Sequence, residues 1–314
     1  MSKKIISVFT PVYNEEENIK IIYEEVKKVM SLVSDRYTYE HVFSDNASQD
    51  NSRVILKEIQ AKDKDVKVIF LSRNFGITKS SFNGIYRCNG DAVVQIDADL
   101  QDSPKMIIDF IKLWEQGYKV VYGVRKDRDE FWLMKTIRKL FYRLAEKLCD
   151  EVLIPDVGEF RLMDRRIVEE LKKIKNYNPY LRGIVANLGF KQIGIPYMRD
   201  RRLHGKTSSN IFKLIDYGMN GIISHSSILL KLSGIAGIFL AMLSFVLIVV
   251  YAAIKIISKT PPSGATTIII FILFFAAMQM IFLGIIGEYV AKIFDQSVSR
   301  PLVIEEELLG FNDA

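Results

Sequence analysis

The chain has 314 residues, enough for one large domain or two, and its 43 Lys and Arg against 37 Asp and Glu give a net charge of +6 and a pI near 9.0. The basic residues gather beside two long apolar stretches that begin near residue 228, which directs them to anionic lipid headgroups and leaves nucleic acid out as a partner. Cys88 and Cys149 lie far apart without metal-ligand spacing, so a disulfide framework and a zinc site are excluded and a reduced environment is the default.

Ile5 to Val12 reads as a first strand, and Asn14 with Glu17 three residues on predicts a capped helix whose residues Ile19, Ile22, Val26 and Val29 share an apolar face. Strands follow at Tyr39 to Phe43, Val66 to Leu71, Ala92 to Ile96 and Val120 to Gly123, with helices around residues 51–61, 79–87 and 104–116. This alternation predicts an α/β domain with a mostly parallel sheet covered by helices on both faces. Ligands of such sheets bind beyond the carboxyl ends of the strands. That rule brings TPVYNE (10–15), SDNASQD (44–50), SRNFG (72–76) and DADLQD (97–102) to one edge. No G-x-G-x-x-G follows the first strand and no P-loop motif occurs, which excludes the usual dinucleotide and NTPase cradles.

The fourth strand ends in VVQIDADLQDSP, residues 93–104. Asp97 and Asp99 stand at i and i+2 and so point the same way. Two carboxylates on one side make a hard-oxygen site for Mg2+ or Mn2+ held between protein and a substrate's phosphates. Asp102 or Ser103 is expected to cap the next helix, with Pro104 in its first turn.

Residues 131–148, FWLMKTIRKLFYRLAEKL, read equally as an amphipathic helix on a membrane surface or as a basic-rimmed helix packed on the sheet. A second such segment, residues 210–227, leads into Leu232 to Ile254 and Ala265 to Gly287, each about 23 residues without a charge and long enough to cross a ~30 Å hydrocarbon core. Arg199, Arg201, Arg202, Lys206, Lys213 and Lys231 precede the first span, whereas the loop between the spans has only Lys255 and Lys259. The positive-inside rule then places the first part of the chain and the tail together in the cytoplasm, and no signal peptide is read at MSKK. The expected organisation is a catalytic domain over 1–209, a juxtamembrane helix over 210–227, a two-helix membrane domain over 228–291 and a tail over 292–314. Gly234, Gly237, Gly284 and Gly287 leave a homo-oligomer through close helix packing open.

TPVYNEEENI, SDNASQD, LSRNFG, GDAVVQIDADLQDSP, GEFRLMDRR and RDRRLHGKTSS, in that order and followed by two apolar helices, resemble the family 2 glycosyltransferases of GT-A fold, and among them the polyprenyl-phosphate glycosyltransferases. The resemblance covers nearly the whole chain. It implies that Pro11, Tyr13, Glu15 and Asp45, with Asp97, hold a nucleotide sugar, and that Asp97, Asp99 and Gln101 bind the divalent cation at its diphosphate. The chain departs from the family pattern at Ser44, where an acid is frequent, at Glu159 for Asp, at Ser208 for Lys, and at Ile77-Thr78 for His-Gln.

A lipid monophosphate acceptor has a second pKa of about 6 and arrives largely as a dianion, so it needs positioning and charge screening more than a strong base. Arg125, Arg161, Arg199, Arg202 and Lys206 are the candidates to receive it, and Asp156 and Glu159 are expected to orient the arginines or touch the sugar. A salt bridge to Asp156 or Glu159 is the alternative for Arg161, and Arg165 and Arg166 are expected to be solvated at a helix start. The resulting expectation is an inverting, metal-dependent hexosyltransferase acting on polyprenyl phosphate, with UDP-glucose the favoured donor. UDP-N-acetylhexosamine, GDP-mannose or a modified pentose stay open, and a non-catalytic membrane adaptor on the same scaffold is the alternative of another class.

Overall fold

Why strands that read as unbroken apolar runs form a sheet buried on both faces is clear in the computed structural model, which describes residues 3–126, 157–174, 179, 181–198, 228–258, 264–298 and 300–311. The elements in order are β1 (Lys4–Val12), α1 (Ile19–Ser31), β2 (Tyr37–Asp45), α2 (Ser52–Lys62), β3 (Val66–Leu71), α3 (Ile77–Arg87), β4 (Ala92–Gln95), α4 (Met106–Glu115) and β5 (Val120–Lys126). They continue with β6 (Val157–Asp164), α5 (Arg165–Lys173), α6 (Leu181–Asn187), β7 (Gln192–Met198), α7 (Ile228–Ser258), α8 (Ala265–Ser297) and β8 (Glu305–Leu309). The expected segments 131–148 and 210–227, and Asp156, Arg199, Arg202 and Lys206, lie outside the described residues.

The strands form one sheet in the order β7-β5-β6-β4-β1-β2-β3-β8. β1 pairs in parallel with β2 and β4, β2 with β3, and β5 with β7, while β6 and β8 run antiparallel to their neighbours. Alternate residues feed two cores. Val8, Phe43, Val94, Phe160 and Leu162 pack with Ile22, Leu56 and Phe110 of α1, α2 and α4, whereas Phe9, Val42, Ile69, Val93 and Met163 pack with Phe82, Ile167 and Val185 of α3, α5 and α6. α3 comes so close to β1 that a Cβ on Gly84 would overlap the Phe9 ring, so only glycine fits that contact.

Three local expectations are corrected. α1 starts at Ile19 after Asn18, and Asn14 is no helix cap: its backbone has φ 54° and its Oδ1 accepts from Gln49 N (2.8 Å). α4 follows Lys105 without a side-chain cap, and Asp102 is instead fully buried. Arg165 is not solvated either, because its guanidinium donates to the carbonyls of Cys88 (2.7 Å) and Gly90.

The chain divides into two compact units, one built on the sheet and one containing α7 and α8. In the helix unit Ile238, Phe245, Met280 and Leu283 are all exposed. Phe274–Ser297 is, among the described residues, the one segment long and apolar enough to cross a bilayer; the apolar Leu232–Leu247 of α7 is shorter. After α8 the chain rejoins the sheet unit: β8 covers the β3 edge, and Glu305, Glu306 and Glu307 pair with Arg87 (2.5 Å), Arg53 (2.8 Å) and Lys57 (2.7 Å).

Candidate active site

All four parallel strands β1 to β4 end at the same edge, and the polar motifs that follow them meet there as expected. The loops are sewn to one another by backbone amides. Asn14 N donates to Ser48 Oγ (2.9 Å), Glu15 N to Ser52 Oγ (3.1 Å), Glu16 N to Asp50 Oδ2 (3.1 Å) and Asn51 N to Glu16 Oε2 (2.9 Å). Asn46 carries the stitching onward, with its Nδ2 donating to Asn74 Oδ1 (2.9 Å) and its Oδ1 accepting from Phe75 N (2.9 Å). Among the described residues, every non-glycine with positive φ sits in these loops: Asn14 (54°), Ala47 (59°) and Leu100 (58°). Such strain persists only where surrounding structure over-determines it, and it concentrates at working sites.

Asp45 ends β2, buried completely, and accepts from Ser48 N at 3.2 and 3.3 Å. Burial raises its pKa from the ordinary value against the opposing Ser48 contacts. Pro11 and Tyr13 lie beside it on β1 and the loop after it, the Tyr13 ring exposed; Glu15 Oε2 accepts from Asn18 Nδ2 (2.6 Å). Ser44 fills its buried place with a hydroxyl 3.1 Å from Ser80 Oγ, where a carboxylate would need a cation.

Phe9 is level with Gln95, so continuing the register by two residues brings Asp97 level with Pro11. Asp97, Asp99 and Gln101 are half-buried around Leu100, and Gln101 N donates to Asp99 Oδ1 (3.2 Å). Among the described residues no three His, Cys, Asp or Glu converge as a closed metal cage. Two carboxylates on a strained turn still fit a cation that takes its remaining oxygens from phosphate and water, as Mg2+ and Mn2+ do.

On the other side β6 runs antiparallel to β4 with Arg161 opposite Gln95, so Glu159 comes to the same edge as Asp97. Glu159 Oε1 accepts from Arg182 Nε of α6 (2.6 Å), and its Oε2 is 3.5 Å from Arg161 Nη2. Burial raises the Glu159 pKa, but Arg182, Arg161 and Arg125 outweigh it and hold the carboxyl below its usual range. Arg161 is 2% exposed and donates to Gly158 O (2.8 Å), which makes it first of all a brace for this strand end. Arg125 of β5 lies over Gly158, where a Cβ would be 2.7 Å from its Nη2. Arg182 was not singled out from sequence, because α6 comes far along the chain and carries no motif of its own.

A family model, Glycosyl transferase family 2, matches residues 7–172, which takes in every strand of the edge just described up to β6. The chain therefore belongs to glycosyl transferase family 2, and its sheet is the GT-A arrangement. It is 38% identical to an uncharacterized glycosyltransferase, YkcC, of Bacillus subtilis, over 100% of this chain and 97% of that protein. It is 33% identical to a bactoprenol glucosyl transferase of Shigella phage SfV, over 95% of this chain and 97% of that one. The crystal structure of S. aureus TarS 1-349 in complex with UDP-GlcNAc is 17% identical, with a TM-score of 0.47 over 71% of this chain and 66% of that one.

Proposed function

We propose that this glycosyltransferase moves a hexose, glucose in the first instance, from a UDP-sugar to polyprenyl phosphate at the cytoplasmic face of a membrane, with inversion at the anomeric carbon. The observation that carries the reading is the single edge where Asp45 ends β2, Asp97 and Asp99 follow β4, and Glu159 with its arginines stands at the start of the neighbouring antiparallel β6. The relative named bactoprenol glucosyl transferase, matched over nearly its whole length, supports the lipid acceptor.

In this reading the Asp45 carboxylate accepts the uracil imide N–H, Tyr13 stacks on the base, and Pro11 and Glu15 shape the ribose side. Asp97, Asp99 and Gln101 are the residues that would hold Mg2+ or Mn2+, which when bound neutralises charge on the departing diphosphate. The acceptor phosphate is a dianion that attacks the anomeric carbon directly while the bond to UDP breaks on the opposite side. Arg125 meets that phosphate, aligning the attacking oxygen and offsetting repulsion between the two phosphate groups. Arg161 and Arg182 fix Glu159, which faces the sugar. From the sequence, Arg199, Arg202 and Lys206 are candidates to attract the headgroup, and Asp156 is a candidate to orient one of the arginines.

Both helices α7 and α8 are read as spans. A chain whose sheet unit includes segments before and after them needs an even number of crossings, which supports two. With Cys88 and Cys149 replaced by Ser, Gly264→Cys should react with an impermeant thiol reagent on intact cells, and Ser31→Cys only after permeabilisation. The reverse pattern would invert the topology. For the reaction, the purified full chain is incubated with radiolabelled UDP-glucose, UDP-N-acetylhexosamine or GDP-mannose and undecaprenyl phosphate, with and without chelator. Transfer from UDP-glucose that chelator abolishes is the expected result, and no lipid product with any donor would overturn the reading.

A further inference from the structure

β7 is an edge strand whose Tyr197 is 8% exposed, and its ring stands edge-on to Phe160 at 6.2 Å. Two glycines make room for what it touches. At Gly123 an added Cβ would lie 2.6 Å from the Tyr197 ring, and at Gly158 it would lie 2.7 Å from the Arg125 guanidinium. The phenol O–H donates to Asp102 Oδ1, and the Arg125 guanidinium lies beside the phenol. Phenylalanine would fill the same apolar space, so what tyrosine adds is the bridging hydroxyl. Burial, with the Asp102 charge beside it, raises the phenol pKa well above its ordinary value, so the hydroxyl stays a donor throughout the working pH range.

Asp102 is fully buried and lies two residues beyond Leu100, whose φ of 58° holds the turn carrying Asp99 and Gln101 in a left-handed conformation. A leucine there is strained and relaxes unless the flanking chain is anchored. We propose that Tyr197 is a positioning residue for the transfer reaction: its hydroxyl anchors the Asp97–Asp102 turn through Asp102 and, through Arg125, ties it to the place where the acceptor phosphate arrives. The leaving-group side and the nucleophile side of the site then share one hydroxyl as their reference point. The inference rests on the reading of Asp97 and Asp99 as the carboxylates at the diphosphate.

The test uses the full chain in detergent, comparing wild type with Tyr197→Phe, Gly123→Ala and Asp99→Asn. UDP binding is measured by calorimetry with Mn2+ and again with chelator, and kcat and KM are measured for transfer. Misplacing the turn by a fraction of an ångström should cost Tyr197→Phe about 10- to 100-fold in kcat, with KM for the donor within about threefold. The Mn2+-dependent gain in UDP affinity should shrink, while binding in chelator matches wild type, a split that loss of packing would not give. Gly123→Ala, which pushes the ring without removing the hydroxyl, should repeat that split, and its failure to do so would overturn the proposal. If Asp99→Asn removes the Mn2+-dependent gain and Tyr197→Phe keeps it together with wild-type kcat, Tyr197 is packing alone and only this proposal falls. If Asp99→Asn keeps the gain, the reading of the diphosphate site falls, and the proposal with it.

Discussion

The two halves of the sheet build their share of the site by different means. In the parallel half, β1 to β4, the edge is made of loops held by backbone amides, their N–H groups donating to Ser48, Ser52, Asp50 and Asn46 across short distances in space. In the β6, β5 and β7 half it is made of side chains that reach across the chain, Glu159 of β6 between Arg161 of β6 and Arg182 of α6, and Tyr197 of β7 to Asp102 in the turn after β4. Loops fixed by many weak contacts can hold strained backbone at Asn14, Ala47 and Leu100, and each contact is individually dispensable. A charge cluster is less forgiving, because removing one partner leaves the other buried and uncompensated. The first half should therefore show its mutations in function, and the second in function and stability together.

Asp99→Asn gives the sharpest form of that contrast. Transfer should fall about 10³-fold while Tm stays within ~2 °C, because in the proposed reaction the carboxylate acts on developing charge and it supports little packing. A matching collapse of Tm, followed by circular dichroism, would break the comparison. Arg182→Met should destabilise by about 2 kcal/mol, since it strips the half-buried Glu159 of its 2.6 Å partner. The acid limb gives an independent check. With a folded pKa below the ordinary 4.5, Glu159 contributes stability above that value and loses it as pH falls through the folded pKa. Arg182→Met removes that contribution, so its stability should change less than that of wild type between neutral pH and the acid limb.

Asp45→Asn tests the parallel half from the opposite sign. Its folded pKa is raised above 3.8 by burial, so the group favours the fold only in acid and costs stability as pH rises through the folded value. The amide should leave Tm unchanged or up by ~1 °C at neutral pH while UDP affinity, by calorimetry, drops about tenfold. In wild type, UDP binding should weaken on acidification with a midpoint above the ordinary 3.8. Smallest of all, Glu306→Gln breaks an exposed pair with Arg53 and should shift unfolding by no more than about 0.5 kcal/mol.

The same contrast decides what could be read from sequence. Each motif of the parallel half directly follows an apolar run, so strand, edge and carboxylate are neighbours in the chain, and Asp45, Asp97 and Asp99 were legible. In the other half the contacts are made across the chain: Tyr197 reaches Asp102 over 95 residues and Arg182 reaches Glu159 over 23. Asp102 before Ser103-Pro104 carries every local mark of a helix cap, and only a strand 95 residues on turns it into a buried acceptor. β7 (QIGIPYM) has a Gly and a Pro inside it, and β8 (EEELL) is half acidic, so neither advertises a strand. Asn14 had the spacing of a capping box, but its left-handed backbone sends the chain through an extra turn first. Arg161 in GEFRL reads from sequence as a candidate for the acceptor phosphate or as a salt-bridge partner of Asp156 or Glu159; in the structure it is buried beside Glu159, and Arg125 and Arg182 are less buried.

β8 has a bearing on how the molecule is made. Synthesis runs from the N-terminus, so β1 to β7 leave the ribosome first, the two apolar helices next, and Glu305–Leu309 after them. Until then the β3 edge presents unpaired N–H and C=O groups, an open template for a stray strand. The sheet is closed only by chain that emerges after the apolar helices have been handed to their destination. Closure of the β3 edge thereby waits on chain made after both apolar helices, and a nascent chain stalled before β8 keeps a ragged, adhesive border.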